Sequence, residues 1–193
     1  EQILGTLAFR LADIDLPDDV GDMFRAMRAS MAQQQVAALW ESEMARRAIG
    51  DLCPVVLLKG SAYAAAGLDV ALGRSIGDLD ILVPRDALDA VEAALLVAGW
   101  EWVKEDPYDD DYYRRWMHEL PPLIHRERDR MIDVHHTILP LTATIRPDAD
   151  AMIGDSIRLA SELHVLAPAD MVLHNVAHLL ADGDLSGGLR NLW

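Results

Sequence analysis

Two stretches of this chain carry residues able to do chemistry together. Leu58-Lys59-Gly60-Ser61 places a small-residue turn after an apolar run. Gly73-Arg74-Ser75-Ile76-Gly77-Asp78-Leu79-Asp80-Ile81-Leu82-Val83 places a carboxylate pair at the start of the next apolar run. Asp78 and Asp80 flank Leu79, so in extended backbone both carboxylates leave one face while Leu79 enters the core. Such a pair is a ligand set for Mg²⁺, a hard cation that prefers oxygen and often arrives with phosphates. Gly60 lets the backbone approach a phosphate, and the amides and Ser61 hydroxyl at the start of a following helix donate to it. Lys59 and Arg74 are near enough in sequence to neutralise phosphate charge. Asp133, a lone acid inside Met131-Ile132-Asp133-Val134-His135, is the candidate third carboxylate from a neighbouring strand. With it, the set could hold two cations across an in-line displacement. These are the parts that metal-assisted nucleotidyl transfer requires.

Other polar residues carry weaker signals. His135 shares the strand parity of Asp133 and is placed to reach the same site, although a hydrogen-bonded structural histidine fits the pattern too. His118-Glu119 precedes Leu120-Pro121-Pro122 and, with His135, is a candidate border of the acceptor pocket. His174 and His178 stand four apart on a helical stretch, a spacing that can bind zinc, but no third ligand is evident and a structural role is expected. Trp100, Trp102 and Trp116 read as core or half-buried. Arg114-Arg115 and the arginines from Arg126 to Arg130 form the basic clusters, able to meet phosphate or to pair with the many acids.

The elements that must position these groups follow from periodicity. Residues 20–49 carry an apolar stripe at helical spacing that ends at Gly50. Pro54 to Leu58, Leu79 to Val83 and Met131 to Ile138 read as core strands. Ser61 to Ala66 and Arg85 to Ala98 read as helices, and Trp100 to Lys104 alternates like a strand. Glu105 to Asp111 reads as a solvated acidic loop, and Tyr112 to His125 as β structure interrupted at Pro121-Pro122. From Pro168 the pattern is helical, with Leu173, Val176, Ala177 and Leu180 on one side. The fold class is α+β: an N-terminal helical segment over 1–50, a mixed core over 51–145 and a C-terminal helical segment over 146–193. The chain lacks an initial Met and stops at Trp193 inside a helical pattern, which reads as a truncated segment.

Composition limits the partners. The 193 residues carry 32 acids against 17 lysines and arginines, a formal charge of -15. A field of that sign repels phosphate backbones, so DNA and duplex RNA are not expected as partners. Cys53 is the sole cysteine, which excludes a disulfide framework and a cysteine zinc site; a buried thiol is expected. No long apolar run or signal peptide stands in the sequence, so no membrane partner is expected and the cytoplasm is the expected compartment.

The Gly-Ser turn, spacer, Asp-x-Asp and later strand carboxylate resemble the nucleotidyltransferase superfamily related to DNA polymerase β. Leu58-Lys59-Gly60, Arg74-x-x-Gly77-Asp78-x-Asp80-x-Leu82-Val83 and Asp133-x-His135 are similar, more closely, to the bacterial uncharacterised nucleotidyltransferase family, akin to the minimal and abortive-infection nucleotidyltransferases. Leu166-Ala167-Pro168-x-Asp170 with His174 and His178 is similar to that family's C-terminal segment. The resemblance implies a short mixed sheet flanked by helices. It also implies Mg²⁺ or Mn²⁺ as cofactor, an NTP such as ATP as substrate, and an acceptor that stays open. It carries Gly60 and Ser61 over as phosphate-binding, Asp78 and Asp80 as metal ligands, and Asp133 as the third carboxylate. The spacing between Ser61 and Asp78 is longer than in many members of the wider superfamily, which implies a specialised loop from Gly67 to Gly77. The expected function is transfer of a nucleoside monophosphate to a hydroxyl on a small molecule or protein. The competing expectations are a catalytically silent nucleotide- or partner-binding module, with an operon-encoded protein as partner, and a metal-dependent phosphohydrolase.

Overall fold

The computed structural model describes residues 3–181. Its framework is a mixed seven-stranded sheet in the order β3-β4-β5-β2-β1-β7-β6. The strands are β1 (Val56–Leu57), β2 (Leu79–Leu82), β3 (Trp100–Trp102), β4 (Leu123–His125), β5 (Met131–His135), β6 (Ile157–Arg158) and β7 (His164–Val165). The helices are α1 (Leu4–Arg10), α2 (Asp18–Ile49), α3 (Lys59–Ala65), α4 (Leu88–Val97), α5 (Pro107–Trp116), α6 (Ala149–Gly154) and α7 (Pro168–Ala181). This is the α+β class with a short mixed sheet and a long N-terminal helix, as the apolar pattern indicates. The expected helical continuation beyond residue 181 lies outside the described residues.

Alternation along the central strands builds two cores. Leu57, Leu79, Ile81, Ile132 and Val134 point to one side, where they join Ala45 and Ile49 of α2 and Val91 and Leu95 of α4. Val56, Leu58 and Leu82 point to the other, where they meet Met152 and Ile153 of α6. The second side is where Asp80, Asp133 and His135 emerge, because strand side chains alternate with period two. β2 and β5 run parallel with Asp80 opposite Asp133 and Leu82 opposite His135. A parallel pair needs a crossover, and here α4, β3, α5 and β4 supply it.

The long stretch from Gly67 to Gly77 is pinned by the N-terminal helices. Gly5 and Gly73 touch backbone to backbone: a Cβ on Gly5 would stand 2.2 Å from the Gly73 carbonyl oxygen. Gln35 donates to the Ala71 carbonyl and Ser75 Oγ to Gln34 Oε1 at 2.9 Å.

The structure corrects four readings. The stretch read as an acidic loop followed by β structure is helix α5. Asp106 caps it by accepting from the Tyr108 amide at 2.9 Å, Pro107 occupies its first turn, and Asp110–Arg114 and Asp111–Arg115 close i,i+4 pairs at 2.8 and 2.6 Å. Acids at the helix start and arginines at its end also complement the helix dipole. Only Leu123–His125 of the expected β region is strand. On α7 the buried residues are His174 and Leu179, while Leu173 and Leu180 of the expected apolar face are exposed. Of the tryptophans, Trp100 is buried and Trp102 and Trp116 are exposed. Cys53 is only partly buried, though that is enough to push its thiol up to about 11. No helix among the described residues is long and apolar enough to cross a membrane.

Candidate active site

The centre of the site is a cross-strand pair. Register places Asp80 of β2 beside Asp133 of β5, and the Asp78 carboxylate joins them, with one oxygen from each lying within 4.8 Å of the others. Asp78 stands just before β2 and is exposed, so the pair is not held on one strand face as the sequence suggests. Asp80 is 3 % exposed. Its Oδ1 accepts from Lys59 Nζ at 2.6 Å and faces His135 Nε2 at 3.0 Å. Burial opposes ionisation of Asp80, but the His135 hydrogen bond, together with Lys59, outweighs it and holds the carboxyl below the usual range. Lys59 begins α3 directly after β1 with φ 47, in the left-handed region, which turns its side chain back onto β2. Burial works against its charge too, but Asp80, Asp78 and Asp133 keep it protonated.

Asp133 has no such cation of its own. Burial, then Asp80 and Glu119, push its carboxyl up to about 7. Residues 118–120 run antiparallel to the end of β5: Leu120 donates to the Val134 carbonyl and His136 to the His118 carbonyl, both at 2.9 Å. That contact sets Glu119 opposite His135, with Oε2 3.3 Å from Nδ1, and brings in His118 Nε2 at 3.7 Å from the same oxygen. Burial first, and then His135, push His118 down to about 3, while burial raises Glu119. His118 and His135 therefore share one border of the site, and Glu119 stands between them. Across from them, α7 presents His174, 3 % exposed and pushed down to about 3 by burial and by His135 and Lys59. The rings of His174 and His178 meet edge to face at 6.2 Å. The central part played by Glu119 and the position of His174 are what sequence reasoning missed; both depend on contacts between distant segments.

The phosphate-binding candidates Gly60 and Ser61 stand in the first turn of α3, next to Lys59. Gly60 is buried against Ile76 and Arg74, and a Cβ there would come within 3.2 and 3.4 Å of them. The Arg74 guanidinium lies 5.4 Å from the Tyr63 ring centre. Ser61 Oγ is buried and makes no hydrogen bond among the described residues. An unsatisfied buried hydroxyl costs about 1–3 kcal/mol.

The donor set fits a hard divalent cation. All three converging ligands are carboxylates, and the lysine beside them, Lys59, is hydrogen-bonded to Asp80. A family model described as uncharacterised nucleotidyltransferase matches residues 1–193. The chain belongs to this family. No curated protein and no solved structure matches it. The basic clusters are mostly engaged. Arg114 reaches Asp89, Glu92 and Asp110, Arg115 pairs with Asp111, and Arg128 pairs with Glu41. Arg130 reaches the Gly77 carbonyl at 3.5 Å.

Proposed function

We propose that this protein moves a nucleoside monophosphate from an NTP to a hydroxyl on a small molecule or protein. The observation that carries the reading is the meeting of Asp78, Asp80 and Asp133 within 4.8 Å, beside Lys59 and the Gly60-Ser61 turn. Asp78, Asp80 and Asp133 would hold Mg²⁺ or Mn²⁺, which screens the phosphate charge and lowers the pKa of the acceptor hydroxyl. His135 and Lys59 keep Asp80 ionised and fix its orientation. Asp133, cross-strand from Asp80, is the candidate base for the proton of the acceptor hydroxyl. The Gly60 backbone, the Ser61 hydroxyl, Lys59 and Arg74 bind the phosphates. His118, Glu119 and His135 border the acceptor. The charge of -15 and the paired arginines favour an acceptor other than DNA or duplex RNA.

Intact-mass spectrometry after incubation with each NTP and Mg²⁺ or Mn²⁺, alone and with cell lysate, tests this reading. Pyrophosphate together with a product heavier by a nucleoside monophosphate is the expected result. Inorganic phosphate in its place would make the protein a hydrolase. Nucleotide-induced melting shifts without turnover would make it a binding module. Submicromolar binding of tRNA or single-stranded RNA at physiological salt would move the acceptor to nucleic acid.

A further inference from the structure

His135 lies between two carboxylates and hydrogen-bonds only one of them. It is 1 % exposed. Its Nε2 meets Asp80 Oδ1 at 3.0 Å in hydrogen-bond geometry. Its Nδ1 is 3.3 Å from Glu119 Oε2, yet it has no hydrogen-bond partner among the described residues. With Nε2–H donating to Asp80, Nδ1 presents a lone pair to a carboxylate oxygen. Two electron-rich atoms this close in a buried place repel each other, and a proton or a metal cation held between them removes the repulsion. A third donor is already there: His118 Nε2 lies 3.7 Å from the same Glu119 oxygen. The His118 and His135 ring centres are 5.2 Å apart. All three ligand atoms fall within 4.8 Å of one another.

The geometry points to a second metal site, made by His118, Glu119 and His135, that takes a borderline transition-metal cation of the Zn²⁺ class. Ligands at about 2.0–2.1 Å around a tetrahedral Zn²⁺ stand about 3.3–3.4 Å from one another, which is the spacing of the Nδ1–Glu119 contact and close to that of His118. Two imidazoles and one carboxylate suit Zn²⁺ or Co²⁺ better than Mg²⁺, which prefers oxygen alone. The Asp80 hydrogen bond to the far nitrogen of His135 is the carboxylate–histidine arrangement that fixes the tautomer and orientation of a metal-bound imidazole. Three protein ligands leave a fourth position open, the form of a catalytic rather than a structural site. The donors differ from those of the Asp78–Asp80–Asp133 site, and the Asp80–His135 bond joins the two. The site therefore goes beyond the nucleotidyl-transfer reading and does not depend on it.

The test uses the whole chain, stripped with EDTA and desalted, with no nucleotide present. Co²⁺ is titrated while visible absorption is recorded, and Zn²⁺ is titrated by calorimetry. One equivalent with Kd on the order of 1 µM or below is expected, with the intense bands of tetrahedral Co²⁺. Excess Mg²⁺ should leave those bands in place. Asp78→Asn should keep them, and His118→Ala and Glu119→Gln should each weaken Zn²⁺ binding by about tenfold or more. A wild-type protein that binds no Zn²⁺ below about 100 µM, or shows only weak octahedral Co²⁺ bands, overturns the assignment without reference to any variant. So does loss of the signal in Asp78→Asn with retention in His118→Ala, which would place the metal on the carboxylates. Nucleotidyl transfer with Mg²⁺ stands or falls by the mass-spectrometric assay, so the two failures are distinguishable.

Discussion

The molecule buries acids in two ways. Glu41 and Glu92, 6 % and 8 % exposed, each have an arginine. Arg128 grips Glu41 through Nε at 2.8 Å and Nη2 at 3.0 Å, and its guanidinium lies 5.2 Å and 4.8 Å from the ring centres of Trp40 and Trp100. Arg114 Nη2 reaches Glu92 at 2.6 Å, and Trp102 Nε1 donates to it at 3.1 Å. The acids around β5 are arranged differently. Asp78, Asp80, Asp133 and Glu119 share Lys59 and the neighbouring imidazoles, and burial, then Asp80 and Glu119, hold Asp133 near neutrality. An acid with its own guanidinium fork ties α2 or α4 to the rest of the fold. Acids crowded around one lysine would be relieved by a bound cation, in keeping with the proposed metal site. The first arrangement contributes to stability, and the second sacrifices some of it.

That contrast can be broken at its strongest point first. Asp80→Asn should leave the far-ultraviolet circular dichroism unchanged. It should lower metal-dependent turnover by about a thousandfold or more, on the order of 4 kcal/mol in the barrier, because an amide is a poor ligand for Mg²⁺. Wild-type rates in that variant would return Asp80 to the structural class. Glu41→Ala should do the opposite. It leaves Arg128 part-buried and uncompensated, so urea unfolding should show a loss of about 3 kcal/mol. A loss below about 0.5 kcal/mol would mean the fork contributes no more than an exposed ion pair.

Asp133 sharpens the comparison through pH. Its folded-state pKa of about 7 lies above the ordinary value of 3.8. The folded state then holds its proton where the unfolded state has released it. Stability from this group is full below about pH 4 and is lost as pH rises through about 7. In EDTA, melting temperature should fall across that window, and Asp133→Asn should remove the fall, stabilising the cation-free protein by on the order of 1–3 kcal/mol at pH 8. A variant that is less stable than wild type at pH 8 would contradict the crowding. Millimolar Mg²⁺ or Mn²⁺ should raise the wild-type melting point, by about 1.4 kcal/mol for each tenfold excess over Kd, and Asp78→Asn should blunt the rise. No rise would show that the carboxylates do not converge on a cation. The smallest effect belongs to Arg115→Ala, whose partner Asp111 is exposed: thermal unfolding should report less than about 0.5 kcal/mol.

How much of this was legible in the sequence depends on whether the signal was local. The strands Val56–Leu57, Leu79–Leu82 and Met131–His135 are apolar runs between turn residues, and the stripe of α2 ends at a glycine, so both are readable from neighbours alone. The parity that puts Asp80 and Asp133 on one side was readable for the same reason. Their pairing was not, because parallel register is set by a crossover of dozens of residues. Helix α5 was misread although its signals are local: charge density suggested a solvated loop, while the cap Asp106, Pro107 and the i,i+4 acid–arginine spacing specify a helix. Glu119 was legible only as part of a candidate pocket border. It gains its place only when residues 118–120 dock on β5.

The parallel pairing of β2 with β5 also says when the site can exist. Asp80 and Asp133 become neighbours only after the chain between them has been closed into a loop, and loop closure precedes the contacts that reward it. Such pairing belongs to the slow, non-local part of folding. A collapsed intermediate with native helices would hold Asp78 and Asp80 but not the third carboxylate, and it would bind cations weakly. Tight cation binding would then mark the completed chain, and a bound cation would slow its opening to proteases in the same measure as it stabilises the native state.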